Sequence, residues 1–213
     1  MLTELNAENA WVFRIVHVKN VPWILDNGLH CRTSDIVDPN FVQIGSASLI
    51  DARHHWPIKG PYGGTLGDYI PFYFTPLSPM FYNIKTGWKD ILQRRNQEIA
   101  ILVASLRSLK EAGHPFVFTD RHAYLRAAQV FDDLTHLDKI DWTILQRRDF
   151  KRDPENPEKV ERYEAEALMH KYLPFDGLCE VACCDVASAT YLQKELTKRN
   201  LALKVTPRPN WYF

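Results

Sequence analysis

Residues 162–170, RYEAEALMH, set Glu164 and Glu166 two apart and follow the second carboxylate at once with the apolar Ala167 and Leu168. In an extended strand side chains two apart share a face, so both carboxylates would point the same way and repel. A solvated edge of a strand or helix is one reading of such a pair. A surface strand would continue its alternation, however, and here the charges stop where the chain turns apolar. A carboxylate at that point is desolvated, which requires a partner or a chemical task.

Other residues have two readings as well. Arg14 stands inside the apolar stretch WVFRIVHV (11–18), either paired at a strand edge or lining a cleft for a phosphate or ribose. His17, in the same stretch, is a satisfied core histidine or a site residue. DARHHWP gathers Arg53, His54 and His55 before the flexible GPYGG, either as a plain polar loop or as one that closes over a ligand. PFVFTDRHAY brings a strand to a polar end at Asp120, Arg121 and His122, where turn chemistry and reactive groups are the competing readings. The sequence has no phosphate-cradling Gly-Lys-Ser/Thr loop, no Gly-x-Ser-x-Gly elbow and no His-Glu-x-x-His signature, and no metal is expected.

The elements that must position these residues are mixed. Strands are expected over 11–18, 68–76, 98–106 and 115–120, and in the closing LALKV. NVPWILDNGL reads as a short helix with Asn20 as its cap, Pro22 in the first turn and Gly28 as the left-handed terminus. Asp141 caps a second helix that runs into the charged loop RRDFKRDPENPEKVERY, and ASATYLQKELTKRN is an amphipathic third. This order favours an α+β fold over a doubly wound α/β one.

A chain of 213 residues with 46% hydrophobic residues has enough apolar side chains for a substantial core, and one domain over 1–213 is expected. Its 26 basic and 26 acidic residues cancel, so a polyanionic partner must be met by a local patch rather than by a global field. Cys31, Cys179, Cys183 and Cys184 are too irregular for a zinc ribbon, and no signal peptide precedes them; reduced thiols in a cytoplasmic protein are expected. No stretch approaches the apolar length of a membrane span.

Four separated segments, FRIVHVKNVPWILDNGLHCR, GDYIPFYFTPLSPMFYNI, FVFTDRHAY and ERYEAEAL, occur in an order that resembles the DarT family of DNA ADP-ribosyltransferase toxins across nearly the whole chain. The resemblance implies the ADP-ribosyltransferase fold, a split mixed β-sheet with an NAD cleft and flanking helices. It implies transfer of ADP-ribose from NAD to a base of single-stranded DNA, typically thymidine, and a DarG antitoxin partner whose macrodomain removes the mark. The free chain is expected to be a monomer. On that pattern Glu166, Arg53 and His122 are the catalytic positions. Arg14, Ile15, Val16, His17, Gly28, Leu29, Arg53 and Tyr73 fall on the NAD side, where relatives often carry His at the position of Arg14.

The same resemblance assigns Glu164, Tyr163, Arg147, Arg148, Arg152 and Met80 to the DNA side. Lys151 adds charge to that loop, and Tyr124 and Phe150 are further candidates to stack on unpaired bases. Glu166 would stabilise the positive charge that develops on the ribose as nicotinamide leaves. His122 suits the proton on thymine N3, and Arg53 the developing anion, although the family usually gives Arg53 the proton-abstracting role. Competing readings are an RNA 2′-phosphotransferase-like enzyme of the same fold, which needs no catalytic glutamate, a catalytically inactive NAD- or nucleic-acid-binding module, and an interaction protein.

Overall fold

The structure is a computed structural model that describes residues 3–213, so the first two residues of the expected domain lie outside the described residues. The chain runs β1 (Trp11–His17), α1 (Val21–Asn27), β2 (Leu29–His30), α2 (Ala47–His54), β3 (Tyr69–Tyr73) and α3 (Pro79–Thr86). It continues through β4 (Ile99–Ser105), α4 (Leu106–Glu111), β5 (Phe116–Thr119), β6 (Val130–Phe131), α5 (Trp142–Arg147) and α6 (Lys159–Tyr163). The last elements are β7 (Glu166–His170), β8 (Tyr172–Leu173), β9 (Glu180–Cys183), α7 (Val186–Thr197) and β10 (Lys204–Pro207).

Eight strands form one sheet in the order β10-β9-β4-β1-β3-β7-β5-β6, and β2 pairs with β8 beside it. The apolar run of β4 is buried at all seven positions, as expected for a strand covered on both faces. Its partner β1 matches it residue for residue from Trp11↔Ser105 to His17↔Ile99. Against β3, by contrast, β1 is in register at the single pair Phe13↔Tyr73. Beyond that point the two halves of the sheet part.

A split sheet leaves backbone groups along both inner edges without a ladder partner, and buried groups of that kind must be satisfied some other way. Arg14 does so here: its Nη1 donates to the carbonyl of Pro71, 2.7 Å away across the gap. A strand residue points its N–H and C=O to the same side, so proline is tolerated in β3 because the missing N–H faces the split. The β3–β7 pairing on the other side is complete from Tyr69↔His170 to Tyr73↔Glu166. Phe13, Tyr73 and Glu166 therefore form one row across the sheet at the point where the split begins.

Several local expectations change. Pro22 does start α1, and Gly28 ends it with φ of +77°. At Gly28 a Cβ would run into the Tyr172 ring and the Leu173 carbonyl, so glycine is needed for conformation and for space. Asn20, however, does not cap α1. Its amide instead bonds Val42 in both directions, donating to the carbonyl and accepting from the N–H, each at 2.9 Å. That contact ties the long segment after β2 to the start of α1. The sequence DARH, expected as loop, is the last turn of α2, and part of the charged loop before β7 is helical as α6.

Asn20 is 1% exposed, so Asn20→Ala removes both of its bonds to the half-buried Val42 and should cost about 1–3 kcal/mol in urea unfolding. Amide exchange at Val42 should accelerate in the same variant; unchanged exchange would show that the segment is held elsewhere.

Candidate active site

Glu166 is the first residue of β7 and is completely buried. Its Oε1 accepts from Arg53 Nη1 at 2.8 Å and from the Ala123 N–H at 3.0 Å, and its Oε2 accepts from Arg53 Nη2 at 2.6 Å. This is a two-pronged guanidinium–carboxylate pair, the geometry that makes arginine the preferred buried partner of a carboxylate. Arg53 is presented by the last turn of α2, whose first turn is capped by the Ser46 hydroxyl accepting from Leu49 N–H. His122 enters from the loop after β5, its own N–H fixed on the Glu161 carbonyl, and its Nε2 lies 3.1 Å from Arg53 Nη1. Three segments far apart in sequence thus converge on one carboxylate.

The charges follow from this geometry. Burial alone would raise the Glu166 pKa, but the charges of Arg53 and His122, the Arg53 fork and the Ala123 amide outweigh it and hold the group below its ordinary value. Burial likewise works against the Arg53 charge, and the Glu166 carboxylate more than restores it, so its pKa is raised. For His122 burial dominates and lowers the pKa despite Glu166 nearby, with the Arg53 charge acting in the same direction as burial. The ring is then neutral near pH 7. Since arginine only donates, His122 Nε2 is the acceptor and the ring proton sits on Nδ1.

Glu164 is different. It ends α6 rather than entering β7, with its N–H on the Val160 and Glu161 carbonyls, so the shared strand face expected of the two glutamates does not exist. Both still line one cavity. Burial first, and the Glu166 charge second, push the Glu164 carboxyl up to about 7. Arg14 is lowered to about 10, mainly by burial, and stays protonated at neutral pH.

Two cavities meet at this point and share Arg14, Ile50, Arg53 and Pro71. The first, about 380 Å³, is lined among others by Tyr73, Met80, His122, Glu164 and Glu166, and also by Ile15. The second, about 360 Å³, lies on the other side of the Arg14–Pro71 bridge, with Val16, Trp23, Leu29, Phe41 and His54 among its walls. Arg14 Nε and His54 Nδ1 are both buried there without a hydrogen-bond partner.

Of the residues expected at the site, Arg14, Ile15, Val16, Leu29, Arg53, Tyr73, Met80, His122, Glu164 and Glu166 come together on these walls. His17 and Gly28 line neither cavity; His17 Nδ1 instead accepts from the Lys19 N–H at the turn after β1. Tyr163 is fully buried with its hydroxyl on the Leu77 carbonyl, so its ring is not free to stack on a base. Phe150 packs on Tyr163, and Tyr124 packs on Trp56. Arg147, Arg148 and Arg152 are exposed and lie outside both cavities. Ser46, Ser48, Asn83, Trp88 and Lys89 line the first cavity and had no sequence signal beyond a tryptophan in the polar stretch TGWKD.

A sheet split beside a buried, arginine-clamped glutamate defines an ADP-ribosyltransferase fold. Residues 13–213 match the family model for DarT, described as ssDNA thymidine ADP-ribosyltransferase, and the chain belongs to that family. The DNA ADP-ribosyl transferase of Escherichia coli O127:H6 (strain E2348/69 / EPEC) is 48% identical over 209 residues, 98% of this chain and 96% of that one. Thermus sp. 2.9 DarT in complex with ADP-ribosylated ssDNA superimposes with a TM-score of 0.88 at 31% identity, covering 97% of each chain. The same Thermus protein in complex with NAD+ gives a TM-score of 0.83 at 30% identity over 97% of this chain and 98% of that one.

Removing Arg53 leaves Glu166 buried without its counter-charge, so Arg53→Ala should destabilise the fold by about 3–5 kcal/mol. The effect depends on pH. In the wild type the folded Glu166 pKa is depressed below 4.5, so its stabilisation is present above that value and is lost as pH falls through the lower folded one. In the variant burial is unopposed by Arg53, the folded pKa rises, and stability is lost as pH increases. The gap between the two urea-unfolding free energies should therefore widen from acid to neutral pH; a constant gap would contradict a charged Glu166.

Proposed function

We propose that this chain transfers ADP-ribose from NAD to the thymine base of single-stranded DNA, acting on the strand in the cytoplasm. The observation that carries this reading is Glu166, charged yet wholly buried on the wall of the first cavity and clamped by Arg53, which the adjoining second cavity shares. The family described as ssDNA thymidine ADP-ribosyltransferase and the NAD+ and ADP-ribosylated-DNA complexes of the Thermus protein support the choice of reactants. Among the described residues no helix is long and apolar enough to cross a membrane.

The second cavity suits NAD. Its apolar walls at Trp23, Ile24 and Phe41 accept flat rings, while Arg14 Nε and His54 Nδ1 supply buried polar atoms that lack a protein partner. NAD supplies the ADP-ribosyl group and releases nicotinamide. Glu166, on the wall of the first cavity, contributes a fixed negative charge to the ribose where NAD reaches past Arg53, most effective because water is excluded from it. Arg53 holds that carboxylate in place and, with its raised pKa, suits stabilisation of an anionic base rather than proton abstraction.

The thymine enters the first cavity beside Glu164 and Met80. The bond from ribose C1′ to nicotinamide breaks, a bond from C1′ to thymine N3 forms, and the N3 proton passes to Nε2 of neutral His122, whose lone pair is released when Arg53 Nη1 turns from it to the developing anion. Arg147, Arg148 and Arg152 remain proposed as outer phosphate contacts on the strength of their charge and exposure. The resemblance also supports a DarG antitoxin as partner and a monomer as the free form. A single domain is supported by the main hydrophobic cluster, which takes in residues from Leu5 to Tyr212, with a smaller one around Leu66 and Leu168.

Incubation with NAD and a thymidine-containing single-stranded oligonucleotide should add one ADP-ribose, located on thymidine by nuclease digestion and mass spectrometry, and the same sequence as a duplex should react far less. Modification of RNA or protein alone would overturn the substrate assignment. His122→Ala should lower kcat by about 10²-fold or more while NAD binding persists. Loss of NAD affinity in step with kcat would move His122 to the cofactor side.

A further inference from the structure

The rim of the first cavity carries a feature that the transfer chemistry does not use. Trp88 lines this cavity together with Glu164 and Glu166, yet its side chain is 58% exposed. Tryptophan is buried on average, and single exposed apolar residues are common, so exposure alone carries little. What distinguishes Trp88 is the rigidity of its support.

Helix α3 stops at Gly87, which adopts φ of +69°, and the Trp88 N–H returns to the Asn83 carbonyl at 3.0 Å. Lys89 then takes φ of +56°, a left-handed conformation unusual for lysine, and the Ile91 N–H closes the turn on the Trp88 carbonyl at 3.2 Å. Ile91 is buried and anchors the loop below. Asp90 accepts from the Ser46 hydroxyl at 3.0 Å and from the Ser48 hydroxyl at 3.4 Å, binding the loop to the first turn of the helix that presents Arg53. The backbone that carries the indole is thus tied to the helix of Arg53, and little main-chain order remains to be created when a ligand arrives.

We propose that Trp88 is a stacking platform for the unpaired nucleotide that flanks the modified thymidine, with Lys89 at the same rim meeting the adjoining phosphate. The inference rests on the functional reading above, because it takes the first cavity as the acceptor side. A flat aromatic face at the mouth of a cavity, next to a positive side chain, is the chemistry that recognises single-stranded nucleic acid. Any base stacks on it, so the platform favours strands whose bases are free rather than one sequence. In a duplex the flanking base is already stacked on its neighbours and is withheld. NAD does not need this surface, since its cavity lies across Arg14 and Arg53.

The test is steady-state transfer to short single-stranded oligonucleotides with one thymidine, with an abasic spacer placed on either side of it. Trp88→Ala should raise KM for the oligonucleotide about 10- to 100-fold while KM for NAD holds, and Trp88→Phe should recover most of the loss. For wild type, the abasic spacer on one side should impose a similar penalty; in Trp88→Ala that spacer should add nothing, because the two changes remove one contact. An unchanged oligonucleotide KM in Trp88→Ala, or equal spacer penalties in both proteins, would overturn the platform and leave the functional reading intact. Failure of the wild type to modify any DNA would overturn the functional reading and the platform together.

Discussion

The fork between Arg53 and Glu166 is the constraint around which the rest of the molecule is arranged. A carboxylate with no exposed surface is tolerated only if its charge is answered at once, and here a guanidinium and a backbone N–H answer it. Such a pair contributes little net stability compared with an apolar one, since both ions are taken out of water. Its retention at the end of a buried strand therefore points to chemistry rather than to folding. The enzyme needs a negative charge where water cannot screen it, and the fold is organised to keep that charge ionised.

The split in the sheet supplies the space. Because β1 and β3 meet at a single register point, the strands open into a cleft whose floor is still continuous sheet on either side. Arg14 spans the opening to Pro71 and so divides it into two cavities that share Arg14, Ile50, Arg53 and Pro71, with Glu166 on the wall of the first. Two reactants can be bound on opposite sides of the Arg14–Pro71 bridge, each largely on walls of its own. Electrostatics then differ between neighbours only two residues apart: Glu166 is held ionised by its partners, whereas Glu164, without such a partner, is pushed up to about 7. The same burial acts on both, and the guanidinium decides the outcome.

Much of this was legible from residue types and order. The apolar runs of β1, β4 and β5 identified themselves, as did α5 by its Asp141 cap and α7 by its amphipathic stripe, whereas α1 was marked by Pro22 and Gly28 although Asn20 does not cap it. The abrupt change from charge to apolar residues after Glu166 marked a buried carboxylate. Helix α2 was not legible, because it has no buried residue and so shows no apolar stripe, even though it carries Arg53. Glu164 was misplaced on a strand because spacing by two is ambiguous at a helix end. There the buried ring of Tyr163 and the buried, ion-paired Lys159 hold the chain helical until Glu164. The platform loop at Trp88 also lay beyond sequence reasoning, since its role depends on which cavity it borders.

The most direct measurement is single-turnover release of nicotinamide from NAD by Glu166→Gln, made alongside titration of NAD binding. The amide preserves the size of the side chain and removes only its charge. We expect NAD binding to persist and release to slow by about 10²-fold or more. Release at the wild-type rate would show that the buried charge at position 166 does not stabilise the reacting sugar.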